Sequence, residues 1–203
     1  MSYDYSENIL VQESAGHLLV DELGWQVELA YNQEVLGENG TFGRSSYKDI
    51  LLVRYFQKAL RTLNPWITDA QVTEAQNTFE KHLSSASLMQ INEEKYAYIR
   101  DGIPVTEKKP NGQTEEKRAI IIDFQHPNDM ERNHFLAVKE MKIHGDLYRR
   151  RTDIVGFVNG IPLLFIELKK NSVDVQNAYT DNYTDYLDTI PQLFYYNAFL
   201  MLS

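Results

Sequence analysis

Three residues in the second half of the chain could do chemistry together: Asp153, Glu167 and Lys169. Asp153 opens the apolar run DIVGFV, and Glu167 and Lys169 close the next one, IPLLFIELKK. Acids and lysines are rarely buried unless they are paired or hold an ion. A Glu and a Lys at the end of so apolar a run mark either a strand running out into water or the rim of an active site. Residues two apart on a strand project from one face, so Glu167 and Lys169 travel together. Two carboxylates with a nearby Lys make a hard-oxygen site suited to Mg²⁺. The Lys would orient or help deprotonate a metal-bound water, or stabilise charge developing on a phosphorane. That equipment points to phosphodiester hydrolysis. So short a pattern arises easily by chance among 29 acids and 20 bases. Its weight comes from the two apolar strands and the short hairpin that would bring the three residues together.

The hairpin has to meet a geometric condition. For Asp153 and Glu167 to share a face, the numbers of paired residues must sum to an even number. A two-residue turn at Asn159-Gly160 pairs 158 with 161, an odd sum, and sends the acids to opposite faces. Pro162 lacks an N–H and disfavours a regular ladder. A longer loop or a bulge is therefore expected at 159–162.

Around this hairpin the chain reads as helices followed by strands. Ile9 to Leu23 carries apolar residues near a helical period and can end at Gly24. LGENGTFGRSS is loop-like, and Ser45 or Ser46 could cap a second helix whose apolar face is Ile50, Leu51, Leu52, Val53, Phe56 and Leu60. Asn64-Pro65 stops it, and Thr68 to Leu83 reads as a third helix. YAYIRDGIPV and RAIIIDF look like strands joined through Asn111-Gly112, and HFLAVKEMKIHG fits helix or strand. Val173 to Leu187 reads as a helix, and NAFLML as a final apolar run. The order implies α+β or a small mixed α/β sheet: one domain over 1–203, mainly helical over 1–95, with a sheet core over 96–203. The last apolar run has no turn after it, so the chain is expected to be the front of a longer polypeptide.

Bulk properties exclude several classes. No apolar run approaches the length of a membrane span, and MSYDYSENILVQES is not a signal peptide. The absence of Cys rules out disulfides and thiolate metal sites and fits a reducing cytoplasm. The net charge of −9 is the wrong sign for holding DNA by bulk electrostatics. Residues 139–170, however, hold seven Lys or Arg against four acids, a local +3 that fits a confined polyanion site or a solvated turn. GENGTFGRS fails as a phosphate loop, because five residues separate Gly37 from Gly43 and Arg44 stands where Lys is needed. The five His have no metal-ligand spacing, and no GxSxG elbow occurs.

RRRTDIVGFVNGIPLLFIELKK, with AYTDNYTDYLDTIPQLFYYNAFLMLS after it, resembles the N-terminal nuclease domain of the R (restriction) subunit of type I restriction–modification enzymes. ESAGHLLVDELGW and GTFGRSSYKDILLVRYFQKALRTLNP follow the same order at the front, so the resemblance covers most of the chain and is most specific over 149–203. It implies a restriction-endonuclease-like PD-(D/E)XK fold, a mixed sheet flanked by helices, ahead of two ATPase motor domains through which alone ATP would bind. It implies an Mg²⁺-dependent endonuclease that cuts double-stranded DNA away from the recognition site, in the cytoplasm, beside methylation (M) and specificity (S) subunits. A non-catalytic DNA- or subunit-docking module of the same fold is the alternative. By the resemblance Asp153, Glu167 and Lys169 are catalytic, and Asp153, Glu167 and the Leu168 carbonyl hold the metal. Thr152 departs from the usual Pro before the Asp. Asn182 and Tyr186 match a Gln-x-x-x-Tyr element with Asn in place of Gln. Arg149, Arg150, Arg151 and Lys170 flank the site as candidate phosphate contacts, with Asn182 and Tyr186 as further DNA contacts. Glu13 is a first-helix acid that could approach the site, although a surface role suits it better.

Overall fold

The computed structural model describes residues 7–168, 176 and 178–202, with the side chains at 7–11, 178, 180, 181 and 202 excepted. Lys169, Lys170 and most of 171–177 lie outside the described residues. The helices are α1 (Glu7–Asp21), α2 (Val53–Leu63), α3 (Asp69–Glu80), α4 (Leu88–Asp101) and α5 (Thr184–Thr189). The strands are β1 (Gln26–Leu29), β2 (Ile103–Lys108), β3 (Thr114–Ala119), β4 (Phe135–Lys139), β5 (Lys142–His144), β6 (Arg149–Arg151), β7 (Ile154–Val158), β8 (Ile161–Glu167) and β9 (Phe199–Leu202). A π-helical turn, Ala178–Tyr183, runs into α5.

Strands β1, β4, β7, β8 and β9 form one mixed sheet in that order. The pairs β1–β4 and β8–β9 are parallel, whereas β4–β7 and β7–β8 are antiparallel. One face packs Val155, Phe157 and Phe165 against α2, α3, α5 and the segment after α5, through Phe56, Leu60, Phe79, Tyr186 and Phe194. The other face packs Ala137, Ile154 and Ile166 against Leu19 of α1. This is the mixed sheet flanked by helices that the resemblance implied.

Local chemistry explains most boundaries, including those that differ from expectation. Thr68 and Ser87 each cap a helix through a reciprocal pair with the glutamine three residues on, Gln71 and Gln90. The Ser87 cap starts a helix whose last turns absorb Tyr96–Asp101, so the expected strand begins only at Ile103, after Gly102. Ser45 and Ser46 do not cap α2. Their backbone N–H groups donate to the Asp49 carboxylate in a turn, and α2 starts at Val53 after an uncapped Leu52. The run Ile120–Asp123 follows β3 outside any strand. β1 supplies a parallel edge strand from the front part of the chain.

Arg44 ties the long loop after β1 to the body. Its guanidinium donates to both Glu34 carboxylate oxygens (2.8 and 2.6 Å) and to the carbonyls of Asp49 and Lys142 (3.0 Å each). The two side chains are 0% and 3% exposed. Such a pair is costly to break from one side, because the remaining charge stays buried without compensation. Arg44→Ala is expected to lower the unfolding free energy by about 3–5 kcal/mol in urea titrations, whereas Arg61→Ala, at an exposed pair with Asp69, is expected to cost less than about 1 kcal/mol.

Candidate active site

The register of the β7–β8 hairpin decides whether the two acids meet. The turn is tight: Val158 pairs with Ile161, around Asn159 at φ +52° and Gly160 at φ +81°. This is the odd register that would separate them. Phe157 still pairs with Pro162, but Gly156 pairs with Leu164, so Leu163 is an extra residue on β8. From there the sum is even, through Val155 with Phe165 and Ile154 with Ile166, and the same register carried one residue further sets Asp153 across from Glu167. The expected shift is present, but as a bulge beyond the turn and not as a longer loop at 159–162. The turn cannot loosen because the Asn159 side chain is built into the core. Its amide donates to the Ile121 carbonyl and to Asn133 Oδ1, and its Oδ1 accepts from the His134 N–H. Gly156 makes room for the bulge, since a Cβ there would lie 2.8 Å from both the Leu164 Cβ and the Trp25 ring.

Each carboxylate has defined partners. Asp153 Oδ2 accepts the backbone N–H of Leu168 at 2.7 Å, and Oδ1 accepts the Gln12 side-chain amide at 2.9 Å. Glu167 is 3% exposed and accepts a hydrogen bond from the Asn182 amide. Tyr186 is buried beside them, its ring edge-on to Phe165 and its hydroxyl donating to the Arg151 carbonyl at 3.2 Å. Burial first, then the negative charges of Glu167 and Asp153, push the Tyr186 phenol well above its ordinary range. The N–H of Thr152 donates to the Met141 carbonyl at 3.1 Å, a bond that proline at this position could not make.

The other expected site residues divide. Arg150 is bound bidentately to Asp185 of α5, at 2.5 and 2.8 Å. Arg149 and Arg151 are exposed, Arg151 lying 3.5 Å from Glu140. Asn182 and Tyr186 turn toward the acids. Glu13 pairs with Lys139 at 3.1 Å, one strand away from Asp153. Lys169 and Lys170 lie outside the described residues. Gln12 was missed by the sequence reading, although the signal existed: with Gly16 and Leu19 it forms one stripe of α1, the stripe that packs on the sheet.

Among the described residues no cluster of three or more His, Asp or Glu converges as a metal shell. The two acids that the register brings to one face fit Mg²⁺ by the chemistry of their donors, which are hard carboxylate oxygens.

A sequence model of the family described as type I restriction enzyme R protein N terminus matches residues 4–203. The chain belongs to that family. It is 31% identical over 188 residues to the type I restriction enzyme HindI endonuclease subunit of Haemophilus influenzae, covering 91% of this chain and 17% of the relative. It is 30% identical over 165 residues to a Methanocaldococcus jannaschii protein named for the type I restriction enzyme MjaIXP, as its endonuclease subunit, covering 79% of this chain and 15% of that protein. The chain thus spans about a sixth of the length of these curated relatives. No helix among the described residues is long and apolar enough to cross a membrane.

Because the bulge sets the register, crowding it is the direct structural test. Gly156→Ala is expected to overpack Leu164 and Trp25 and to lower the unfolding free energy by about 1–3 kcal/mol, measured by chemical denaturation. A variant as stable as the parent would show that the close approach at Gly156 is not limiting.

Proposed function

We propose that this chain is the Mg²⁺-dependent endonuclease domain of a type I restriction enzyme R subunit, and that it hydrolyses phosphodiester bonds of double-stranded DNA away from the recognition site. What carries the reading is the one-residue register shift that places Asp153 and Glu167 on one face with the Leu168 backbone against Asp153. Nothing in a structural hairpin requires two acids there, and one of them is buried.

In this reading residues 1–203 make a single domain, ahead of ATPase motor domains that bind ATP. The complex is completed by methylation and specificity subunits in the cytoplasm. Asp153, Glu167 and the Leu168 carbonyl hold Mg²⁺, which when bound supplies Lewis acidity and an acidified water. Gln12 fixes the rotamer of Asp153, and Asn182 fixes that of Glu167. Lys169, two residues beyond Glu167, orients the attacking water or steadies the charge on the scissile phosphate. Tyr186 keeps its proton and donates it in a hydrogen bond to the Arg151 carbonyl.

The alternative is a docking module without chemistry. It draws on the same hydrogen bonds, since acids held by Gln12 and Asn182 could serve structure alone. Two measurements separate the readings. In the assembled enzyme, Asp153→Asn, Glu167→Gln and Lys169→Ala are each expected to reduce DNA cleavage by at least about a hundredfold while ATP hydrolysis persists. Calorimetric titration with Mn²⁺ is expected to detect binding to the parent chain and none to Glu167→Gln. Undiminished cutting by these variants would refute the nuclease assignment.

A further inference from the structure

The β4–β7 pair does not end at the sheet. The Glu140 N–H donates to the Asp153 carbonyl at 2.9 Å, and the Thr152 N–H to the Met141 carbonyl at 3.1 Å. Pairing then continues in the same register through Lys142 with Arg151, Ile143 with Arg150 and His144 with Arg149. The partner strands stop short of this extension: β1 reaches only Lys139 on one side, and β8 begins its pairing at Ile154 on the other. Asp153 therefore stands at the base of a two-stranded arm, β5–β6, whose tip is five residues further on, roughly 17 Å at 3.3 Å per residue.

The arm is anchored along its length and bare at its end. Glu140, at φ +53°, turns the ladder so that Met141 and Ile143, both fully buried, follow Val138 into the main core. The His144 N–H donates to the Tyr47 carbonyl at 2.9 Å, its carbonyl accepts from Gln192 at 3.0 Å, and Arg150 is held by Asp185. The tip turn is closed by the Gly145 N–H on the Tyr148 carbonyl at 2.9 Å, and it presents Leu147 at 87% exposure and Tyr148 at 51%.

The outward face carries Lys142, Arg149 and Arg151. Lys142 and Arg151 are direct cross-strand partners, an arrangement that destabilises a hairpin by like-charge repulsion. Both lie over the ring of Tyr31, at 5.3 and 4.6 Å from its centroid, which offsets only part of that cost. Glu140 is close to Arg151, and Asp146 at the tip pairs with Lys48. Among the described residues neither Lys142 nor Arg149 forms an ion pair with an acid. A rigid support, three outward cations and an apolar–aromatic tip together match the surface of a nucleic-acid duplex, in which phosphates position and grooves admit apolar wedges.

We propose that the β5–β6 arm seats double-stranded DNA over the site, with Lys142, Arg149 and Arg151 on backbone phosphates and the Leu147-Tyr148 tip in a groove. The proposal rests on the nuclease reading for what lies beneath the duplex, but it is tested separately. The photoreactive residue p-benzoylphenylalanine is placed at Leu147 in the assembled enzyme, and in a second preparation at Met89, an exposed position on α4. Irradiation on a DNA duplex is expected to crosslink DNA from 147 and not from 89. Lys142→Glu combined with Arg149→Glu is expected to cut the yield at 147 by about tenfold. No DNA adduct at 147, or an adduct only to another protein subunit, overturns the proposal. If Asp153→Asn abolishes cleavage and 147 still gives no DNA adduct, the arm is refuted and the nuclease stands. If 147 crosslinks DNA and Asp153→Asn cuts normally, the arm stands and the nuclease is refuted.

Discussion

The structure turns on one extra residue. A regular ladder from the Asn159-Gly160 turn would put Asp153 opposite Ile166 and send Glu167 to the α1 face, among the apolar partners of Ile154. Leu163 breaks that parity. Three features keep the break where it is. Asn159 accepts a left-handed backbone and spends its side chain on three core hydrogen bonds, so the slip cannot move into the turn. Pro162 keeps its place opposite Phe157, with no ladder N–H to lose. Gly156 leaves the volume into which Leu164 and Trp25 close. Phe165 and Ile166 then fall on opposite faces, each in its own apolar layer, so core packing enforces the register that the acids need.

Two carboxylates on one face of a sheet repel each other, and burying one of them raises the cost. The fold meets this with donors drawn from different parts of the chain. Gln12 comes from the helix behind the sheet, Leu168 from the strand end itself, and Asn182 from the π-helical turn in front. Wider helical spacing in that turn changes the phase of the side chains entering α5. Asn182 and Tyr186 flank that change, with Asn182 on Glu167 and Tyr186 beneath it. The bidentate Arg150–Asp185 pair then ties α5 to the arm, and the Tyr186 hydroxyl adds a second link through the Arg151 carbonyl.

The strands around the acids could be read from apolar runs and turn residues, because both faces of the hairpin are covered and Asn-Gly has few alternatives. The parity requirement could be derived as well, but not the device that meets it. A bulge leaves no composition signal, and Leu163 looks like any other residue of an apolar strand. The helix over Tyr96–Asp101 was hidden for a related reason. Its aromatic and β-branched residues favour a strand, and only the Ser87–Gln90 capping pair far upstream reverses the choice. Gln12 was overshadowed by its charged neighbour Glu13, whose chemistry draws attention while its helical phase points it at Lys139. β1 is four residues long and mostly exposed at the sheet edge, too short for any periodicity to register.

The charge distribution follows from the same hairpin. A net charge of −9 keeps the chain from binding polyanions indiscriminately, while residues 139–158, which make one continuous ladder, hold five Lys or Arg against three acids. The acids sit where that ladder leaves the sheet, and Lys142, Arg149 and Arg151 sit where it has no flanking strand. Cations on the sheet itself would need partners in the core, whereas on the arm they stay hydrated and their repulsion is tolerated. Separating the cations from the acids along one ladder confines their attraction to an anion already close to Asp153 and Glu167. In an acidic chain bulk attraction cannot bring a polyanion to these acids, so any such attraction has to be local, as it is on this arm.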